Sequence, residues 1–333
     1  MTQLTDDCFA AGGPLMTIEA ALALVMPRLD RVTEADEVPL AEAAGRILLA
    51  DVISPLDLPE AGIRNGEAAL ATGRRLSPQD IWLAAALGHQ SLTVSRPLKV
   101  ALFSTGDELA ELGQELGAGQ IYDSNRRTLG ALLQQLGIAY SDLGILADRP
   151  ETVRGALAEA AADHDAVMTS GGVSTGDEDH VKAAVEALGS LHFWRLAIKP
   201  GRPVALGQFA VGDRRLAFIG LPGNPVAAMV TFLRVARPIL LRLMGASAVE
   251  PAPYRVRADF EHRKKQDRRE YLRVRLVRQA DGELAAVKFP REGAGILTSL
   301  VEADGLVELP EAMTKLEPGS MVDFLPFARG LGS

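Results

Sequence analysis

The chain of 333 residues has a single cysteine, Cys8, so no disulfide can staple it internally, and such low thiol use fits a reducing compartment. It has no excess of positive charge. Its 35 basic and 43 acidic residues give a net charge of −8, which argues against a surface built for duplex nucleic acid. It also has no uninterrupted apolar run fit to span a bilayer: the longest stretch, Val226 to Met244, is broken by Arg234, Arg237, Pro238 and Arg242. The opening residues include Asp6, Asp7 and Glu19 and place no basic segment before an apolar one, unlike a signal peptide. These absences lead us to expect a cytoplasmic protein with neither nucleic acid nor membrane as partner. No internal repeat or low-complexity segment occurs, and the length leaves room for roughly two or three compact units.

Three regions are distinguishable. In 1–97, Ile18, Ala21, Leu22, Leu24, Val25 and Leu29 recur at helical spacing, which predicts helix over 16–50 with a kink or boundary at Pro27. Residues 51–66 carry prolines and glycines without periodicity and read as an extended connection, and a further helix is expected from Pro78 to Leu87, before Gly88. In 98–245, the short apolar runs "LKVALFS", "SDLGIL", "DAVMTS", "HFWRLAI" and "RRLAFIG" are mostly separated by helical patterns, at Thr128–Leu136, Glu151–Ala162, Val181–Leu188 and Val226–Leu243. Strands alternating with helices predict an α/β fold with a doubly wound, mostly parallel sheet. The last two strands are joined by a short non-helical piece, as in a hairpin. In 246–333, "YRVRADF" and "EYLRVRLV" alternate in polarity, "ADGEL" offers an Asp-Gly turn, and "SMVDFLPF" adds a strand, so a small β-sheet or barrel is expected.

Ligands of open α/β sheets gather where the strands end, and four loops fall there. "FSTGDEL" presents Ser104, Thr105, Asp107 and Glu108. "GQIYDSNRRTL" puts Asp123, Ser124 and Asn125 at a helix start, where Asp123 or Ser124 can equally serve only as an N-cap. "TSGGVSTGDEDHV" offers Gly171-Gly172 for close backbone approach to an anion and the hydroxyls of Ser170, Ser174 and Thr175. Its acids Asp177, Glu178 and Asp179 would repel a phosphate unless a hard divalent cation such as Mg2+ bridges them to it; the plainer alternative is that they complement the helix dipole. His180, beside Asp179, reads as a helix-surface residue. "GLPGNPV" holds Pro222, Gly223 and an N-cap Asn224 ahead of Pro225, and "IKPGRP" adds Lys199, Pro200, Gly201 and Arg202. This combination suits a phosphorylated ligand held with a metal. A Walker loop, a clear G-x-G-x-x-G and a catalytic triad are all missing. The run Tyr254–Arg278 holds ten basic and four acidic residues; it is either a solvated strand face or a wall that turns Arg269 and Arg273 toward an anion.

In this order, "LFSTGDEL", "GQIYDSN", "TSGGVSTGDEDHVK", "FWRLAIKPGRP" and "GLPGNPVAAMVTF" resemble the motifs of the molybdopterin molybdenumtransferase family, namely bacterial MoeA and the E domains of gephyrin and its plant counterpart. "GGPLMTIEAALALV" and "GRILLADVISPLDLP" resemble it too, so the likeness runs through nearly the whole chain. The resemblance implies a MogA/MoaB-like central domain, an N-terminal helical and extended region, and a C-terminal β-barrel. It implies transfer of molybdate onto adenylylated molybdopterin with a divalent cation and release of AMP. By matching position, Glu108, Asp179 and Lys199 are the expected catalytic residues, Asp177 and Asp179 the metal ligands. Lys199, Pro200, Arg269, Arg273 and Ser299 would line the molybdate side. A homodimer is implied, with a MogA-like adenylyltransferase and molybdoenzymes as further partners.

The chain departs from the family in three places. Arg202 and Ala294 stand where lysine and serine are common. More importantly, relatives follow "SPLDLP" with an inserted domain that carries a site aspartate, whereas here Glu60-Ala61-Gly62 joins the flanks directly. Impaired turnover is therefore expected. The alternatives are a non-catalytic binding module for the molybdopterin nucleotide and a MogA-like molybdopterin adenylyltransferase; the first region and the β tail argue against the latter.

Overall fold

The computed structural model describes residues 15–172, 180–212, 214–291, 293 and 295–327. Helix α1 (Ile18–Val25) begins at Thr17, whose side chain accepts from the Ala20 amide, and buries Ile18, Ala21 and Leu22 on one stripe against the central sheet. The helix expected through residue 50 stops here. A 3-10 turn, Met26–Arg28, carries Pro27, and the chain then turns into strand β1 (Ala35–Pro39). Proline inside a helix removes an amide donor and clashes with the preceding turn, so the break falls where the chemistry puts it. Helix α2 (Pro78–Ala86), closed by a Ser77/Asp80 capping box, precedes β2 (Ser91–Ser95), which pairs antiparallel with β1. Val38, Leu48, Val52, Leu70, Leu87 and Val94 form a small core of this region's own.

The expected connection over 51–66 folds back on itself. Val52–Ile53 pair with Ala68–Leu70, and Leu58 and Ile63 exchange backbone hydrogen bonds of 2.8 and 3.2 Å. A 3-10 turn, Pro59–Ala61, forms the tip, and Gly62 ends it at φ +68°, a left-handed conformation that glycine adopts without a Cβ penalty.

The central region contains β3 (Lys99–Thr105), α3 (Ser124–Gln135), β4 (Ala139–Leu146), α4 (Pro150–Asp163), β5 (Ala166–Ser170), α5 (His180–Leu188), β6 (Gly189–Arg195), β7 (Pro203–Val211) and β8 (Arg214–Leu221). Helix α6 (Pro225–Thr231) runs through a π turn, Phe232–Ala236, into α7 (Arg237–Leu243). Sheet order is β6-β7-β8-β5-β3-β4, parallel from β8 to β4 and antiparallel at β7 and β6. Alternation along β3 explains why both faces are covered. Val100 and Leu102 point to the core shared with α1, α3, α6 and α7, whereas Ala101 and Phe103 point to the core shared with α4 and α5. The fold class is the expected one.

One strand was not anticipated. Residues 203–211 form β7, so two hairpins replace the single one expected. The "HFWRLAI" strand is also displaced: β6 ends at Arg195, and Ile198–Lys199 leave the sheet to pair in parallel with Arg269–Glu270.

The C-terminal strands β9 (Tyr254–Ala258), β10 (Arg269–Arg278), β11 (Leu284–Lys288), β12 (Gly305–Leu309) and β13 (Met321–Pro326) run in the order β10-β11-β9-β13-β12. Pairing of β12 back onto β10 closes a five-stranded barrel. Its centre is filled by Ala258, Val274, Ala286, Val307, Leu309, Val322 and Phe324. The Asp281-Gly282 turn links β10 to β11, with Gly282 at φ +87°. Among the described residues no helix is long and apolar enough to cross a membrane.

Candidate functional site

The four loops singled out in the sequence converge at the carboxyl ends of β3, β5 and β8. Gly171 takes φ +88° and its amide donates to Leu221 O at 3.0 Å. A Cβ there would lie 2.6 Å from the Thr105 carbonyl oxygen. Gly172 takes φ +64°, and a Cβ would meet Thr105 Cγ2 and Val181 Cγ2 at 2.6 Å. Neither position has room for any other residue. Asn125 clasps three loops together: its Nδ2 donates to Ser170 Oγ at 2.9 Å and to Gly223 O at 2.6 Å.

Two clefts flank the Gly171–Gly223 contact. On one side, Thr105, Glu108, Ser124, Asn125 and Ser170 border a cavity of about 70 Å³. Ser104 and Thr105 hydroxyls, both buried, have no hydrogen-bond partner among the described residues, and Thr105 forms part of this wall. Native structures seldom leave buried hydroxyls unsatisfied, so this pair fits a wall meant to meet a polar ligand. On the other side, Gly172, Pro200, Gly201, Arg202, Pro222 and Asn224 border a more open cleft of about 500 Å³. Asn224 caps α6, accepting from the Ala227 amide at 3.3 Å.

Asp123 spends its carboxylate within the fold. It accepts from the Arg126 amide at 3.2 Å and from Arg126 Nε at 2.7 Å. The Arg126 guanidinium, with 2% of its side chain exposed, also binds Glu111 and Asp142. Burial alone would lower the Arg126 pKa; hydrogen bonds from Asp123, Asp142 and Glu111 outweigh it and raise it. The cap reading of Asp123 is thus the one its contacts favour. Glu108 and Asp107 are exposed, Glu108 at the cleft and Asp107 outside its lining.

A third cleft, of about 190 Å³, opens where the Ile198–Lys199 strand meets the barrel, and is bordered by Lys199, Pro200, Glu270, Arg273, Lys288 and Phe289. Three cations face it with one carboxylate. Glu270 is 1% exposed and accepts from His262 Nε2 at 3.0 Å and from Arg268 at 2.9 Å, with Lys199 Nζ at 3.6 Å. Burial pushes the Glu270 carboxyl up, but those hydrogen bonds and the Lys199 charge together hold it below the ordinary range. Pro200 borders both this cleft and the large one, so the segment Lys199 to Arg202 joins them.

Two residues expected on the oxyanion side lie elsewhere. Arg269, a neighbour of Glu270 on β10, points to the other face and is taken up by Glu19, Glu308 and Glu311. Of Arg269 and Arg273, only Arg273 borders the cleft; four residues apart on one strand they share a face, and what separates them is the ring of carboxylates that takes up Arg269. Ser299 is fully buried in a one-turn helix, with its hydroxyl donating to Ile296 O. Ser174, Asp177 and Asp179 lie outside the described residues. Among the described residues no three His, Cys, Asp or Glu side chains come together to hold a metal. Sequence reasoning missed His262, Glu270 and Lys288; the one signal available was an acid, Glu270, inside a strongly basic strand.

Residues 101–242 match the family described as "Probable molybdopterin binding domain", and residues 255–327 match "MoeA C-terminal region (domain IV)". The chain is 35% identical over 271 residues to the molybdopterin molybdenumtransferase of Haemophilus influenzae, covering 81% of this chain and 66% of that protein. It is 35% identical over 265 residues to the Nostoc protein of that name, covering 77% of this chain and 59% of that one. It therefore spans at most about two thirds of these curated relatives. A solved molybdenum cofactor biosynthesis protein from Pyrococcus furiosus superposes with a TM-score of 0.72 at 26% identity, covering 94% of this chain and all of that one (100%). A MoeA protein from Pyrococcus horikoshii gives a TM-score of 0.74 at 25% identity, with 95% of this chain and 100% of that chain covered. With two successive domain matches and full-length structural likeness added to the loop motifs, the chain belongs to the MoeA family.

Proposed function

We propose that this protein acts in molybdenum cofactor biosynthesis, binding adenylylated molybdopterin at the sheet-end clefts and molybdate at the barrel-side cleft, for transfer with release of AMP. The observation that carries this reading is the segment Lys199 to Arg202, which borders a backbone-lined cleft at one end and a cation-lined cleft at the other. At the first, Gly171, Gly172 and Gly223 let phosphate oxygens approach main-chain amides, and Arg202 supplies charge. At the second, Lys199, Arg273 and Lys288 offset the two negative charges of molybdate, and Glu270 holds Lys199 beside them. Glu108 stands at the mouth of the small cleft, where it can orient a nucleophile. Mg2+ dependence is part of the proposal and rests on the sequence of the 173–179 loop, through Asp177 and Asp179. So are a homodimer in the cytoplasm, and exchange with a MogA-like adenylyltransferase and with molybdoenzymes.

Because the chain is shorter than its relatives and closes at Gly62, we propose that binding outlasts turnover. Holding two reactants slightly out of line costs on the order of a hundredfold in rate. Equilibrium dialysis with molybdopterin-AMP should give saturable binding, whereas reconstitution of an apo-molybdoenzyme should proceed at about a hundredth of the rate with the Haemophilus relative or less. Absence of nucleotide binding would overturn the assignment of the clefts. Insertion at the relative's rate would overturn the impairment.

A further inference from the structure

Arg234 is a buried cation that none of the clefts uses. It is 7% exposed, in a helical run otherwise lined with Val226, Val230, Phe232, Val235 and Ile239. It lies inside the π turn Phe232–Ala236, a geometry frequent at functional sites. Among the described residues its side-chain partners belong to the C-terminal region. Nε donates to the Tyr271 hydroxyl at 3.1 Å and lies 3.7 Å from Glu308 Oε2, while Nη1 lies 3.6 Å from Glu250 Oε2 in the linker to β9. Tyr271 and Glu308 are cross-strand partners on β10 and β12, so one guanidinium grips both strands. Glu308 also accepts from Arg269 at 2.7 Å, and Arg269 reaches Glu19 on α1. The three regions of the chain therefore meet in one ionic cluster.

The place of this cluster bears on both clefts. Arg234 lies two helical turns, about 10 Å, beyond Ala227, in the first turn of the helix whose cap Asn224 borders the large cleft. Tyr271 directly follows Glu270 of the barrel-side cleft. The backbone joins the same two regions where Ile198–Lys199 pairs with Arg269–Glu270. So short a pairing locates the barrel yet leaves it room to pivot. Apolar packing of Leu306 and Leu325 into the central core attracts without direction. A buried ionic cluster adds little net stability over such packing, but its hydrogen bonds prefer definite angles.

We propose that Arg234 is a positioning residue: by gripping Tyr271 and Glu308 it fixes the tilt of the barrel on the central sheet, and with it the spacing between the nucleotide cleft and the oxyanion cleft. The inference rests on the reading of those clefts as two parts of one transfer site. Two anions held at a fixed spacing repel. In low salt, molybdate should therefore bind about fivefold more weakly to the AMP complex than to the free protein. A barrel released from Arg234 can tilt away and relieve that repulsion.

The test compares wild type with Arg234→Met, which leaves Glu308 paired with Arg269 and so should fold, and with Tyr271→Phe, which removes one hydroxyl. Spin labels at Glu159→Cys on α4 and Glu283→Cys in the β10–β11 turn, both exposed, report the tilt in a Cys8→Ser background. Wild type should give one narrow distance distribution. Arg234→Met should shift or broaden it by more than about 2 Å, and Tyr271→Phe should do so to a smaller extent. By calorimetry, each ligand alone should bind Arg234→Met within about threefold of wild type, whereas the penalty for the second anion should fall to about twofold or less. Lower stability in urea with wild-type distances, or an unchanged penalty, would make the cluster a structural tie and overturn the proposal. A wild type that binds neither AMP nor molybdate would instead overturn the reading of the clefts, and the spin-label distances would still decide whether Arg234 sets the tilt.

Discussion

The sheet-end clefts and the barrel-side cleft hold negatively charged groups by opposite means. At the sheet end the wall is backbone: Gly171, Gly172 and Gly223 crowd so closely that a Cβ at the first two would overlap Thr105. Side chains there mostly tie loop to loop, as Asn125 does. At the barrel the wall is side chain, with Lys199, Arg273 and Lys288 bordering the cleft beside one buried carboxylate, Glu270, that pairs with Lys199. A backbone wall fixes its donors by the fold and needs few charges. A charged wall must spend further side chains on keeping its cations apart and aimed.

The sharpest way to break the contrast is Arg126→Ala, because the backbone-built cleft still stands on one buried ion network. Arg126 joins Asp123, Glu111 and Asp142, and its removal leaves Asp123, itself buried, without a cation. Loss of one partner from a buried pair costs about 3–5 kcal/mol. Urea denaturation should show a loss of that size, together with loss of AMP binding in whatever fraction stays folded. A change under about 1 kcal/mol would mean that the network is solvated and idle.

The contrast also decided what could be read in advance. Loops such as "TSGGVSTGDEDHV" and "GLPGNPV" place glycine, hydroxyl and cap residues side by side, so their chemistry is written contiguously and needs no fold to assemble it. The parallel sheet was legible for a similar reason, since helix and strand periods alternate cleanly from Leu98 onward. The barrel-side cleft is built from Lys199, His262, Glu270, Arg273 and Lys288, which come together only because Ile198–Lys199 leaves one sheet to pair with another. In the sequence, Arg269 and Arg273 look equivalent, and strand alternation gives them one face; only the distant carboxylates Glu19, Glu308 and Glu311, which take up Arg269, tell them apart. Residues 26–39 misled as well, because charged and apolar residues there also fit a helical wheel, and only Pro27 and Pro39 signalled the turn into β1.

A smaller effect should separate the two clefts cleanly. Gly171→Ala puts a side chain at φ +88° and 2.6 Å from a main-chain oxygen that cannot move aside cheaply. Left-handed strain and overpacking together cost about 2–3 kcal/mol. AMP binding should be lost at temperatures where the variant remains folded, and molybdate binding should remain within about threefold of wild type, since no backbone of that cleft is disturbed. Equal losses of both ligands would show that the clefts form one cooperative site.

The smallest effect concerns acid. Glu270 has its folded pKa held below the ordinary 4.5 by His262, Arg268 and Lys199, against the upward push of burial. A depressed carboxyl contributes stability that is complete above the unfolded value and is lost as pH falls through the folded one. Glu270→Gln is isosteric but has one acceptor oxygen in place of two and turns its NH2 toward a donor, so at pH 7 it should cost about 1–3 kcal/mol, the loss of one charge-assisted bond. That gap should hold from neutrality down to about pH 4.5, narrow below it, and vanish once Glu270 is protonated in the folded wild type. Asp142 is also depressed, through Arg126, the Gly144 amide and Arg127 set against burial, but it titrates in both proteins and cancels in the comparison. Thermal unfolding of the pair between pH 7 and pH 3 measures the gap directly. A gap that stays constant to pH 3 would mean that the Glu270 charge contributes nothing to the barrel wall, and the side-chain cleft would then be held by packing alone.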